Sequence, residues 1–220
     1  MTKSPIKSIQ ASTTTANTYT VPDPHWTPPG PGRYSEYKDG TNIFQSTSEI
    51  LQESEKIARL RREAVRNAMK HAWNGYKTYA WGKDEITPQT AKGQDIWQGM
   101  GVTLVDTLDT LWLMGMKEEF WEARDWVRDE LNNDIDHSVS LFETAIRSLG
   151  GLLSAYDWSG DKVFLEKAQD LGDRLLYGFD TPSALAYNSV NLHTHDHENN
   201  RWSSPRSLVA ETASCQVEYR

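Results

Sequence analysis

Three observations predict an all-α chain. Apolar residues recur at helical steps of three and four in several segments between 46 and 220, most of these segments are joined by short connections, and no run shows the alternation of a convincing strand. Residues 1–45 stand apart. Ser, Thr, Pro and Gly dominate there, and Pro22, Pro24, Pro28, Pro29 and Pro31 crowd together, so this stretch packs no core and is expected to be a flexible leader to a domain spanning 46–220. Ser48 is a candidate cap for a first helix whose apolar positions are Ile50, Leu51, Ile57, Leu60, Val65, Ala68, Met69 and Ala72, ending by Gly75 or soon after. Residues 106–116 open or continue a second, strongly apolar helix. A third is expected over 118–131, with Phe120, Ala123, Trp126, Val127 and Leu131 on one face. The fourth covers 143–156, the fifth 161–176 with Val163, Phe164, Ala168, Leu171, Leu175 and Leu176, and a sixth starts near Ser207. Between the fifth and sixth lies a polar loop of about thirty residues, long enough to be functional, with room for short hairpins.

Charge and composition narrow the partners. Against 23 basic residues stand 31 acidic ones, a formal net charge of -8, which repels nucleic acid and anionic membrane surfaces and suits a neutral ligand. No stretch is apolar over the length of a signal-peptide core or a membrane span. Nine Trp and nine Tyr offer flat faces for stacking on sugar rings, although aromatics in such number mostly fill cores. The single cysteine, Cys215, excludes a disulfide within this chain and reads as a small buried hydrophobe.

The segment 141–156 holds the most informative charges. Leu141, Phe142, Ala145, Ile146, Leu149, Leu152, Leu153 and Tyr156 require cover on several sides of the helix, yet Glu143 and Arg147 sit among them at i and i+4. That spacing makes them neighbours on one face, where they either form an ordinary ion pair or project together into a cavity. Glu211 and Glu218 are seven apart, two helical turns, and can face one cavity. The cluster His193-x-His195-Asp196-His197-Glu198 could hold a transition metal if extended, but no distant Cys or His completes a closed site, so a solvated polar loop is expected.

Phe142-Glu143-Thr144-x-Ile146-Arg147, followed by Leu149-Gly150-Gly151-Leu152-Leu153-Ser154-Ala155-Tyr156, resembles the central signature of the class I α-1,2-mannosidases, glycoside hydrolase family 47. Further segments fit the same pattern in the same order: His71-Ala72-Trp73-x-Gly75-Tyr76-Lys77-x-Tyr79-Ala80-Trp81-Gly82-x-Asp84-Glu85, Thr103-Leu104-Val105-Asp106-Thr107-Leu108-Asp109-Thr110-Leu111-Trp112-Leu113-Met114-Gly115-Met116, and Leu208-x-Ala210-Glu211 with Gln216-Val217-Glu218-Tyr219-Arg220. The resemblance spans about 61–220. It implies an (αα)7 barrel, of which this chain holds about the first half, with the inner apolar faces of the open half exposed.

The same resemblance implies hydrolysis, with inversion, of terminal α-1,2-linked mannose from high-mannose N-glycans in the secretory pathway, in the lumen of the endoplasmic reticulum or Golgi. Glycoside hydrolysis needs one carboxylic acid to protonate the leaving oxygen and one carboxylate to activate water. Glu143 matches the family's general acid, and Arg147 its partner at the reacting mannose. Asp106, Glu211 and Glu218 match acidic positions that bind substrate, while Asp109 reads as structural. The general base is expected beyond Arg220. So is the threonine that binds the family's Ca2+, which leaves no metal ligand assigned within the chain. The competing readings are a mannosidase-like lectin or quality-control factor of the endoplasmic reticulum, and a non-catalytic helical interaction protein or catalytically inactive truncated chain.

Overall fold

A computed structural model describes residues 48–183, 185–199 and 206–219, so the expected leader over 1–45 lies outside the described residues. The chain divides into two compact units, 1–55 and 56–220; of the first, only the opening turns of one long helix are described. That helix, α1, spans Ser48–Ala80. It runs past Gly75 because Trp73, Tyr76 and Ala80 bury one face of its last turns, which outweighs the roughly 1 kcal/mol that a mid-helix glycine costs. Leu60 and Val65, by contrast, are exposed.

The expected second helix is two short ones, α2 (Val102–Asp106) and α3 (Leu108–Leu113), divided at Thr107. The Thr107 hydroxyl donates to the Thr103 carbonyl at 2.5 Å, a back-bond that competes with the helical ladder and bends it. Helix α4 spans Lys117–Asp129, and the expected face of Phe120, Ala123 and Val127 is buried. Its Trp126 lies against Gly82 and Gly101, both in the left-handed region, where a Cβ would stand 2.5 and 2.4 Å from the indole. Helix α7 (Lys162–Leu175) starts at the cap Asp161, whose Oδ1 accepts from the Val163 amide at 3.0 Å. Helices α3, α4 and α7 pack with the helix that begins at Leu141 around Leu104, Leu108, Leu111, Phe120, Leu152 and Leu171.

That helix runs from Leu141 to Ser159 in three pieces: α5 (Leu141–Thr144), a π-helical turn over Ala145–Leu149, and α6 (Gly150–Ser159). Ser140 caps it, accepting the Glu143 amide at 3.3 Å. At Gly151 a Cβ would meet the Val105 carbonyl oxygen at 2.6 Å, so glycine alone lets α6 lie directly on the end of α2.

Short strands appear both in the long polar loop, where a hairpin had room, and outside it, where none was expected. Residues Glu85–Thr87 (β1) and Lys92–Gln94 (β2) form an antiparallel hairpin with Ile86 opposite Gly93. Ser138–Ser140 (β3) pairs antiparallel with Ser189–Asn191 (β4), which pairs in turn with His197–Glu198 (β5) inside the long polar loop. Strands of two or three residues are too short for alternation to register in a sequence. The last helix, α8, covers Val209–Ser214, later and shorter than a start near Ser207 implied.

Replacing Gly151 by alanine is expected to lower the melting temperature by several degrees, since backbone must move to admit the methyl group. Gly150→Ala meets nothing closer than 3.4 Å and is expected to be neutral or stabilising. Thermal denaturation of both variants checks this, and equal effects would show that the contact at Gly151 is not tight.

Candidate active site

The helix beginning at Leu141 sets two functional groups one turn apart. The Arg147 guanidinium donates through Nε to Glu143 Oε2 at 2.8 Å and through Nη1 to Asp106 Oδ2 at 3.4 Å. One arginine thus joins the carboxylate on its own helix to the last residue of α2. Hydrogen bonding to Glu143, then the Glu143 and Asp106 charges, raise the Arg147 pKa above its ordinary value against the opposing effect of burial. All three side chains are partly open to solvent, at 44, 36 and 41 % for Arg147, Glu143 and Asp106. A pair alone at this exposure contributes little to stability. A cluster of three charges facing outward is what a polar ligand can reach.

The other two expected residues lie on the chain around α8. Asn188, buried at 4 %, donates from Nδ2 to Glu211 Oε2 at 2.9 Å. The Glu218 Oε2 atom is buried and has no hydrogen-bond partner among the described residues, while Oε1 stands 3.6 Å from where a Cβ on Gly150 would lie. Glu218 therefore borders the same helix as Glu143 and Arg147. Burial pushes its carboxyl above the ordinary glutamate value.

The expectation that two full helical turns bring Glu211 and Glu218 together needs correction. Helix α8 ends at Ser214, and residues 215–219 continue as turns, with Val217 N donating to Ser214 O at 3.2 Å and Tyr219 N to Cys215 O at 3.3 Å. The Ser214 hydroxyl and the Cys215 thiol donate back to the carbonyls of Ala210 and Glu211, which disturbs the helical ladder at this point. The two carboxylates instead flank Cys215. Burial first, then the Glu218 and Glu211 charges, pushes this buried thiol up to about 11.

Two residues that sequence patterns did not single out as functional hold the site together. Asp84 is buried and accepts the amides of Trp97 at 2.7 Å and Gly99 at 3.0 Å, with Val102 at 3.4 Å, which shapes the loop entering α2 and so places Asp106. The other is Asn188. A carboxylate in the motif Gly82-x-Asp84-Glu85 was visible, but its three amide partners lie 13 to 18 residues away and no local pattern marks them. Asp109 accepts the Ser154 hydroxyl at 3.1 Å, a bond between α3 and α6 that fits its structural reading. On the β4–β5 hairpin, His193 pairs with Asp134 at 2.8 Å and His195 stacks on Tyr177 with ring centroids 3.9 Å apart. Among the described residues no three His, Cys, Asp or Glu side chains are grouped to hold a metal ion.

The model of glycosyl hydrolase family 47 matches residues 68–220. The chain belongs to glycosyl hydrolase family 47. Over 164 residues it is 49 % identical to a mannosyl-oligosaccharide 1,2-alpha-mannosidase of Arabidopsis thaliana, a match covering 74 % of this chain and 29 % of that protein. It is 49 % identical over 160 residues to the endoplasmic reticulum mannosyl-oligosaccharide 1,2-alpha-mannosidase of Rattus norvegicus, covering 73 % and 24 %. Among solved structures, the alpha-1,2-mannosidase from Trichoderma reesei matches with a TM-score of 0.59 at 31 % identity, over 62 % of this chain and 31 % of that one. The chain therefore spans less than a third of the length of these relatives, and the helical architecture of its matched part is that of the family. Asp106, Glu143, Arg147, Glu211 and Glu218 all fall within the region matched by the family 47 model.

The burial of Glu218 carries a sign that can be measured. A carboxyl that titrates higher when folded makes its ionised form a net cost to folding; the cost is absent below the unfolded pKa and is complete above the folded one. Glu218→Gln removes it. The variant is expected to melt above the wild type at pH 7, with the difference shrinking to nothing by about pH 4, just below the ordinary glutamate value. Melting curves across that range check this, and a difference independent of pH would assign the effect to something other than the Glu218 proton.

Proposed function

We propose that this chain forms part of an exo-α-1,2-mannosidase, its site carried by the domain over 46–220, that trims terminal α-1,2-linked mannose from high-mannose N-glycans with inversion at the anomeric carbon. The observation that carries the reading is the Arg147 bridge between Glu143 and Asp106 in a family 47 chain. Glu143 serves as the general acid, giving its proton to the leaving glycosidic oxygen directly or through a water. Arg147 holds that carboxylate in place and meets the reacting mannose. Asp106, Glu211 and Glu218 accept hydrogen bonds from sugar hydroxyls. An inverting reaction also needs a carboxylate to activate water on the opposite face of the ring, with a wider separation between the two groups. No residue of this chain is assigned that part.

Family membership also brings calcium into the reading. The carboxylates present are hard oxygen donors, and the unpartnered buried oxygen of Glu218 suits a water of a hydrated cation, but the described residues do not group as direct ligands. Ca2+ would orient the sugar hydroxyls near Glu218. None of the steps above runs through it. Relatives named for the endoplasmic reticulum support a place in the secretory pathway. Among the described residues no helix is long and apolar enough to cross a membrane.

Release of free mannose from a high-mannose N-glycan by the full chain, with and without a calcium chelator, tests the proposal. Chelator-sensitive release that Glu143→Gln lowers on the order of 100-fold or more is expected. Release indifferent to that substitution would overturn the role of Glu143. A folded chain that releases nothing would leave it an inactive part of such an enzyme or a lectin, and the activity would not be its own.

A further inference from the structure

Asn188 is tied to two segments that carry candidate site residues. Its backbone oxygen accepts the Leu141 amide at 2.9 Å, two residues before Glu143, and its side-chain amide donates to Glu211. Its neighbours are fixed as well. The Tyr187 amide donates to the Gly178 carbonyl at 2.8 Å, the Ser207 hydroxyl to the Ala186 carbonyl at 2.8 Å, and Ser189 pairs with Ser140, the cap of the Glu143 helix. Glu211 sits in the first turn of α8, which packs on α5, and just past its end Cys215 clusters with Leu141, Ala145 and Ala186. A helix of six residues holds a side chain poorly by its own ladder. A buried amide on the neighbouring segment supplies the missing restraint, and being neutral it leaves the carboxylate charge in place, which a lysine or arginine would cancel.

We propose that Asn188 is a positioning residue that fixes the Glu211 carboxylate relative to the helix bearing Glu143 and Arg147, so that the acidic groups face one sugar ligand together. Its bearing on sugar rests on the mannosidase reading; its hold on Glu211 does not. The test is an exchange of partners in the full chain. Asn188→Asp sets two carboxylates at hydrogen-bond distance, and is expected to lower the melting temperature at pH 7 by about 5 °C or more. The loss should shrink at about pH 4, where one proton can be shared. Adding Glu211→Gln restores a donor facing an acceptor, so the double variant should melt well above Asn188→Asp at pH 7. Cys215, on which the Glu211 and Glu218 charges both act, and Glu218 are unchanged throughout.

A double variant no more stable than the two single losses combined would overturn the hold on Glu211. Far below all melting temperatures, Asn188→Asp should also lose about tenfold in kcat/KM for mannose release at pH 7 and regain part of it at lower pH. Unchanged kcat/KM in an active chain would make Asn188 a purely structural residue and overturn the positioning role. A wild-type chain that releases no mannose counts against the mannosidase reading alone, because the exchange still decides the contact.

Discussion

The contact on which the rest of this architecture depends is the approach of α6 to the last carbonyls of α2 at Gly151. A side chain there would stand 2.6 Å from the Val105 oxygen. With glycine, two helices meet at backbone distance, and the residue after Val105, Asp106, comes within reach of Arg147. The three-charge cluster is therefore a product of packing between segments some forty residues apart, and the loop organised by the buried Asp84 carboxylate brings the other side of that contact into position. Both ends use the same physics: a buried polar group or bare backbone demands a specific partner, and satisfying it fixes the geometry.

Electrostatics then divides the site into two kinds of carboxylate. Glu143 and Asp106 share one cation and stay partly open to water, while Glu218 is pushed toward the protonated form by burial and has an oxygen without a protein partner among the described residues. Groups in such different surroundings are suited to different tasks, the outer pair to meeting a ligand and its proton transfers, the inner one to holding a ligand or its water. A π-helical turn separates Glu143 from Gly150. The extra residue in that turn widens the helix where Arg147 leaves it, a distortion often found at functional sites.

Helices α4 and α7 were legible in the sequence because burial imposes a 3.6-residue period on them, and both lie close to where that period placed them; α1 also lies close to its expected place, although most of the apolar positions that marked it are exposed. The Glu143–Arg147 pair was legible for the same reason, since one helical turn makes i and i+4 neighbours in any context. The break at Thr107, the strands outside the polar loop and the early end of α8 were not. Each depends on a hydrogen bond from a hydroxyl, a thiol or a distant backbone segment, and side-chain periodicity carries no record of those.

By itself the sequence determined that this chain is helical, that Glu143 and Arg147 lie one helical turn apart, and that its ordered motifs resemble those of family 47, the resemblance that made Asp106, Glu211 and Glu218 candidates beside them. The first two follow from local spacing, the third from matching whole motifs in order. Only the tertiary structure decided that Arg147 joins Glu143 to Asp106, that Glu211 and Glu218 flank Cys215 instead of sharing a helix face, and that Asn188 holds Glu211. Those relations arise where separate elements meet. Close packing and the need to satisfy buried polar groups select the partners there, and neither acts along a single stretch of chain.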